Sequence, residues 1–224
     1  MSDCPNRLLV KEIRARCQGQ LRVDEPLKKH TTFGMGGPAD LFFFPADLED
    51  LTRVIPLVKD SGLSVLPVGG GTNLLVRESG FRGIVISLSN GATKIAMEIG
   101  RGRVQAGASL QVFSRRCCRT GRTGMEFGCG IPGTVGGAIW GNAGAWGEET
   151  LERLEWLRGV NMRTGETVEI LKKKIDFGYR YTDLPEGLLV VEASFHLEED
   201  DPKAVHRRME EILAKRKATQ PLWK

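Results

Sequence analysis

The stretch ADLFFFPADLEDLTRVIPLVKDSGLSVLPVGGG, residues 39–71, decides the fold class. It opens on an apolar run, Ala39 to Ala46, bounded by proline, as expected of a strand buried on both faces. Asp47 follows in the position of a helix N-cap, ahead of a helical stretch that Pro56 is expected to bend. SVLPV then reads as a second buried strand. Strand, helix and strand within about thirty residues form a crossover between parallel strands, with the connecting loop at a carboxyl end. RGIVISL adds a third strand.

On the amino-terminal side, Leu9, Ile13 and Cys17 recur in steps of four and predict a short amphipathic helix. Beyond Leu88 the pattern becomes antiparallel. TKIAMEIG and RVQAGAS read as paired strands, SLQVFSRRCCRTG as a helix capped near Ser109, and LEWLRGVNMRTGETVEIL as a hairpin through RTGE. LLVVEASFHLEE is one more strand. Asp201 and Pro202 open a last helix with Val205, Met209, Ile212 and Leu213 on one face. The expectation is an α+β (α/β) protein divided into an N-terminal helix (1–20), a first βαβ subdomain (21–88) and a second subdomain (89–218).

Composition narrows the function classes. With 224 residues, 41% hydrophobic and 27% charged, the chain reads as globular. A net charge of +4 is too small and too scattered to point to nucleic acid, and it suits an anionic small molecule. No apolar run approaches the roughly 20 residues a bilayer span needs, and the charged start is no signal peptide. Five cysteines, an odd number with no Cys-x-x-Cys pair and no histidine at ligand spacing, favour a reducing cytoplasm and argue against zinc. Cys117 and Cys118 sit beside arginines in SRRCCRTG, but fit small, buried helix residues best. The oligomeric state is left open.

Two glycine-rich stretches carry the chemistry. Exposed amides in a tight glycine turn after a strand can converge on a phosphate. VGGGTN has neither the GxxxxGK[ST] spacing of a nucleotide-hydrolysing loop nor the GxGxxG spacing of a dinucleotide fold. FGCGIPGTVGGAIWGNAGAWGEE is too apolar and aromatic for a flexible linker and reads as backbone packed against a flat ligand. Together they suggest a long ligand with a diphosphate and a ring system.

HTTFGMGGPAD, LPVGGGTNLLV, GIPGTVGGAIWGNAGAWGEE, FGYRYTDL and RKATQP, in that order, resemble the UDP-N-acetylenolpyruvoylglucosamine reductases, from about residue 21 onward. The resemblance implies a two-subdomain FAD-binding fold of the vanillyl-alcohol-oxidase type. It also implies NADPH-driven reduction of an enolpyruvyl UDP-sugar to UDP-N-acetylmuramate for peptidoglycan. By the same resemblance Gly69, Gly70, Gly71, Thr72 and Asn73 would cradle the FAD diphosphate. Gly130, Ile131, Pro132, Gly133, Thr134, Gly136 and Gly137 would line the flavin, with Asn142 and Gly144 close behind. Arg180 would be the catalytic arginine, polarising the substrate carboxylate, and Tyr179 beside it would meet substrate. No metal is implied.

The resemblance is to the shorter class of these reductases, because the short interval between Arg180 and TQP leaves little room for an extra substrate-covering segment. In the family, TQP leads into a substrate-binding domain that supplies a serine acid in a Ser-x-Phe-Lys motif and a late glutamate. Neither motif occurs here, so residues 219–224 are expected to be a stub of that domain. His30, His196 and His206 each fit a structural role better than a substitute acid. Two alternatives stay open: a flavin-binding module without a complete active site, and an alcohol oxidase of the same fold, for which no His or Cys is placed to attach flavin covalently.

Overall fold

A computed structural model describes residues 6–220. Cys4, and the expected stub from Pro221 on, lie outside the described residues. Helix α1 (Arg7–Arg16) buries Leu9 and Ile13, and Cys17 follows as its C-cap. Strands β1 (Gln20–Pro26) and β2 (Pro38–Phe44) pair antiparallel. Helix α2 (Leu48–Ser61) starts where the Asp47 carboxylate accepts the Asp50 N–H, and it continues through Pro56 to a left-handed Gly62. Strands β3 (Val65–Val68) and β4 (Phe81–Ser87) follow. The first sheet has the order β1-β2-β4-β3, so the crossover from β2 to β3 leaves a gap that β4 fills, parallel to both. Asp50, fully buried in α2, accepts the backbone N–H groups of Gln18, Gly19 and Ala46 and so fastens the start of β1 and the turn after β2.

The second sheet is antiparallel throughout. Strands β5 (Ile95–Glu98) and β6 (Arg101–Gln105) form the first hairpin. Helix α3 (Leu110–Arg119), capped by Ser109, and the two-residue strand β7 (Arg122–Thr123) come next. The glycine-rich stretch is more structured than the loop expected of it. It contains helix α4 (Val135–Trp140) and the hairpin of β8 (Gly144–Ala145) with β9 (Glu148–Glu149). After the single turn α5 (Thr150–Arg153), β10 (Leu154–Asn161) and β11 (Thr167–Leu171) form the expected hairpin. A miniature hairpin joins β12 (Phe177–Gly178) to β13 (Tyr181–Thr182), and β14 (Leu188–His196) completes a sheet of order β11-β10-β14-β6-β5. Strand β15 (Glu198–Glu199) pairs with β7 and leads into α6 (Pro202–Thr219).

The four-stranded sheet is drawn from residues before 88 and the five-stranded sheet from residues after it. One apolar core nevertheless runs through both, joining Phe43 and Ile86 to Val104, Leu157 and Phe195. A separate small patch, Cys118, Cys129, Val205 and Met209, lies under α6. Burial pushes the Cys118 thiol up to about 12 and that of Cys117 higher still, so these cysteines act as compact apolar groups.

Candidate functional site

The loop after β3 and the segment before α4 meet side by side. A Cβ on Gly69 would overlap the Thr134 hydroxyl, and one on Gly70 would stand 3.1 Å from Gly133 Cα. The Thr72 hydroxyl donates to the Pro132 carbonyl at 3.5 Å. Gly71, at φ +61°, lies against His30, and its carbonyl accepts the Thr32 N–H. The second segment is stitched to the turn before α3: the Leu110 N–H donates to Gly133, Val135 to Ala108, and Gly136 to Ala106. Thr134 then caps α4 by accepting the Gly137 N–H at 3.3 Å.

Between these walls opens a cleft of about 850 Å³, toward the upper end of the range for small-molecule sites. It lies beyond the carboxyl end of β3, where open sheets with parallel strands bind ligands. Gly69, Gly70, Gly71, Thr72, Asn73, Ile131, Pro132, Gly133, Thr134, Gly137, Gly144 and Arg180 all line it. Gly70 also borders two smaller cavities, one running past His30 and Phe42, the other past Ser109 and Val112.

Three expected contacts stand behind the wall instead of on it. Gly136 packs against Ala106, and Gly130 lies under the Arg216 side chain, each at a place where a Cβ would crowd its neighbour. Asn142 is buried with its amide committed to protein partners. Tyr179 is 85% exposed, outside the cleft, with the Arg180 guanidinium 5.9 Å over its ring.

Arg216 is a wall residue that the sequence reading passed over. It comes from α6, Nε is buried without a hydrogen-bond partner, and burial lowers its pKa. A guanidinium keeps its charge in such a place, so Arg180 and Arg216 put two cations on the wall. Among the described residues lining the cleft there is no Asp, Glu, His, Ser or Cys. Such a site attracts an anion, and its described hydroxyls are those of Thr72 and Thr134. The signal for Arg216 was weak because RKAT resembles the basic end of any solvated helix.

Comparison with known proteins agrees with this geometry. The FAD binding domain family matches residues 39–171. A UDP-N-acetylenolpyruvoylglucosamine reductase of Geobacter metallireducens is 42% identical over 217 residues, covering 96% of this chain and 71% of its own length. The crystal structure of UDP-N-acetylenolpyruvylglucosamine reductase from Thermus caldophilus superposes with a TM-score of 0.76 at 31% identity, covering 91% of this chain and 71% of that one. An alkyldihydroxyacetonephosphate synthase, at 19% identity and a TM-score of 0.62, shares the fold over 86% of this chain. The architecture is thus the α+β FAD-binding fold of the vanillyl-alcohol-oxidase type, and the chain belongs to the UDP-N-acetylenolpyruvoylglucosamine reductases, a family of oxidoreductases.

Proposed function

We propose that the chain holds FAD in the cleft between its two glycine segments and serves the NADPH-dependent reduction of a UDP-linked enolpyruvyl sugar in cytoplasmic peptidoglycan synthesis. The observation that carries this reading is the pairing of Gly69–Gly70 with Gly133–Thr134 across a cleft whose charged groups, among the described residues, are Arg180 and Arg216. The residues present fit the cofactor. Side-chain-free backbone faces the cleft at Gly70 and Gly133, the Arg216 guanidinium on the wall suits an anionic ligand, and Ile131, Ala138, Ala143 and Trp146 give the wall an apolar bed.

Bound FAD supplies the hydride relay from nicotinamide to the substrate double bond. In this reading the amides of residues 69–73 meet the diphosphate, where glycine permits close approach. Ile131, Pro132, Gly133, Thr134, Gly137 and Gly144 bed the ring. Arg180 meets the substrate carboxylate and offsets negative charge as it develops, a task suited to a fixed planar cation. Tyr179, under that guanidinium, is the adjoining substrate contact. The division into flavin-holding subdomains at 21–88 and 89–218 belongs to the same proposal and is supported by the two sheets.

A second reading, a flavin-binding module without its own proton donor, is favoured by the absence of an acid among the described cleft residues. One experiment separates the two. A polypeptide of residues 1–224 is mixed with FAD, NADPH and the enolpyruvyl UDP-sugar, and product formation is followed. It should turn yellow, oxidise NADPH slowly in an oxygen-dependent and sugar-independent way, and form no useful amount of UDP-N-acetylmuramate. A positioned general acid contributes about 10²–10⁴-fold. Turnover matching a full-length relative would show that these residues suffice and discard the module reading. Failure to take up FAD would overturn both.

A further inference from the structure

Among the described residues, four non-glycine residues have positive φ, and three of them, Asn142 (+36°), Trp146 (+62°) and Arg180 (+57°), lie on or directly behind the cleft wall. Left-handed backbone is unfavourable for an arginine and persists only where the surroundings over-determine it. The hairpin that carries Arg180 pairs Phe177 with Thr182 and Gly178 with Tyr181 and adds a single bond from the Asp183 N–H to the Asp176 carbonyl, too little to hold its own turn.

Both sides of that turn are tied to the carboxyl end of α4. Asn142 Nδ2 donates to the Gly178 carbonyl at 2.9 Å, and the buried Thr182 hydroxyl donates to the Ile139 carbonyl at 2.7 Å. The Asn142 amide has one workable orientation. Nδ2 also donates to Glu149 Oε2 at 2.6 Å, while Oδ1 accepts the Leu151 N–H at 3.0 Å. Flipping it would set oxygen against two acceptors. The helix that supplies Gly137 and Ala138 to the cleft wall therefore also fixes the two ends of the Arg180 turn.

We propose that Asn142 and Thr182 are positioning residues that hold the Arg180 guanidinium in register with the cleft, by clamping the 178–182 turn to the end of α4. This rests on the reading of Arg180 as the cation that meets the bound anionic ligand. Asn142→Gly keeps the left-handed backbone without strain and removes the amide. Thr182→Val keeps the volume and removes the hydroxyl, and Thr182→Ser restores a hydroxyl.

The probe is sulfite, whose sulfur lone pair bonds to N5 of oxidised flavin and leaves the ring anionic, so its affinity reports the cationic charge nearby. In the FAD-loaded protein Arg180→Ala should weaken sulfite binding about tenfold, and Asn142→Gly and Thr182→Val about threefold each. Thr182→Ser should stay within about twofold of the parent, FAD affinity should stay within about twofold in the clamp variants, and neither clamp variant should add anything in an Arg180→Ala background. In the flavin-free protein, amide exchange at residues 179–181 should quicken while residues 69–73 keep the parent rate. Unchanged sulfite affinity in both clamp variants, or an equal loss without Arg180, overturns the proposal even where FAD binds normally. Failure of the parent to bind FAD defeats the cofactor reading first, and this proposal with it.

Discussion

A methyl group on Gly70 and a methyl group on Gly71 have different consequences. Gly71 sits at φ +61° with its Cβ direction blocked by the His30 carbonyl, so alanine there strains the fold whether or not a ligand is present. Gly71→Ala should cost about 1–3 kcal/mol of stability, read as a lower melting temperature of the ligand-free protein. Gly70 has no left-handed φ, and its Cβ would stand 3.1 Å from Gly133 Cα and 3.6 Å from Thr72 Cγ2, so a methyl group there presses on the facing segment and takes space from the cleft. Gly70→Ala should lower the melting temperature less than Gly71→Ala does and raise the FAD dissociation constant at least about tenfold. Equal FAD affinity in parent and variant would remove the first glycine loop from the cofactor site. The two substitutions are therefore best made singly, since a joint replacement mixes a folding defect with a binding defect.

At the level of elements, α6 is docked by charge as well as by its small apolar patch. Glu126, 4% exposed, accepts from the Thr123 hydroxyl at 2.7 Å, the Gly124 N–H at 2.7 Å and Arg208 Nε at 3.1 Å, and Arg208 also reaches Asp200. Burial alone would raise the Glu126 pKa, but these donors outweigh it and hold the carboxyl below its usual range. Its stabilisation is therefore complete above the unfolded-state value and drains away as pH falls through the lower, folded one. Half-buried Glu148 is shifted the other way, chiefly by burial and then by Glu126. The melting temperature of the parent should drop as pH falls below about 4.5. Glu126→Gln should cost about 1–3 kcal/mol at neutral pH and flatten that acid limb. An acid limb of unchanged steepness in the variant would reject this account.

The elements differ in how openly the sequence displays them. The crossover unit, the two hairpins of the second sheet and the helices capped by Asp47, Ser109 and Asp201 follow from apolar periodicity and cap chemistry. Strand β1 was hidden because QLRVDEP is a charged edge strand that buries only Glu25, with no alternation of apolar and polar residues to mark it. Helix α4 was hidden because two of its six residues are glycine, and it holds through the Thr134 cap and burial of Val135 and Ile139. The two glycine segments were legible as partners, and the structure brings them together on one cleft. Arg216 and the Asn142 clamp were not legible, since each depends on a neighbour more than 30 residues away in the chain, Gly130 and Gly178 respectively.

For the whole molecule, the core shared by both sheets predicts that they unfold together, while α6 rests on a patch of its own. That helix supplies Arg216 to the cleft, so detaching it opens one wall without melting the rest. Native-state hydrogen exchange should find α6 amides released by a low-energy partial opening, well before those of β14, the central strand of the five-stranded sheet. FAD at about 100 times its dissociation constant should slow α6 exchange about a hundredfold if opening abolishes binding. Equal exchange in α6 and β14, indifferent to FAD, would contradict this. During synthesis α6 also leaves the ribosome after every described strand. The cleft can thus be completed only once α6, the last of the described helices, has swung home, and a flavin held there would latch the segment most free to leave.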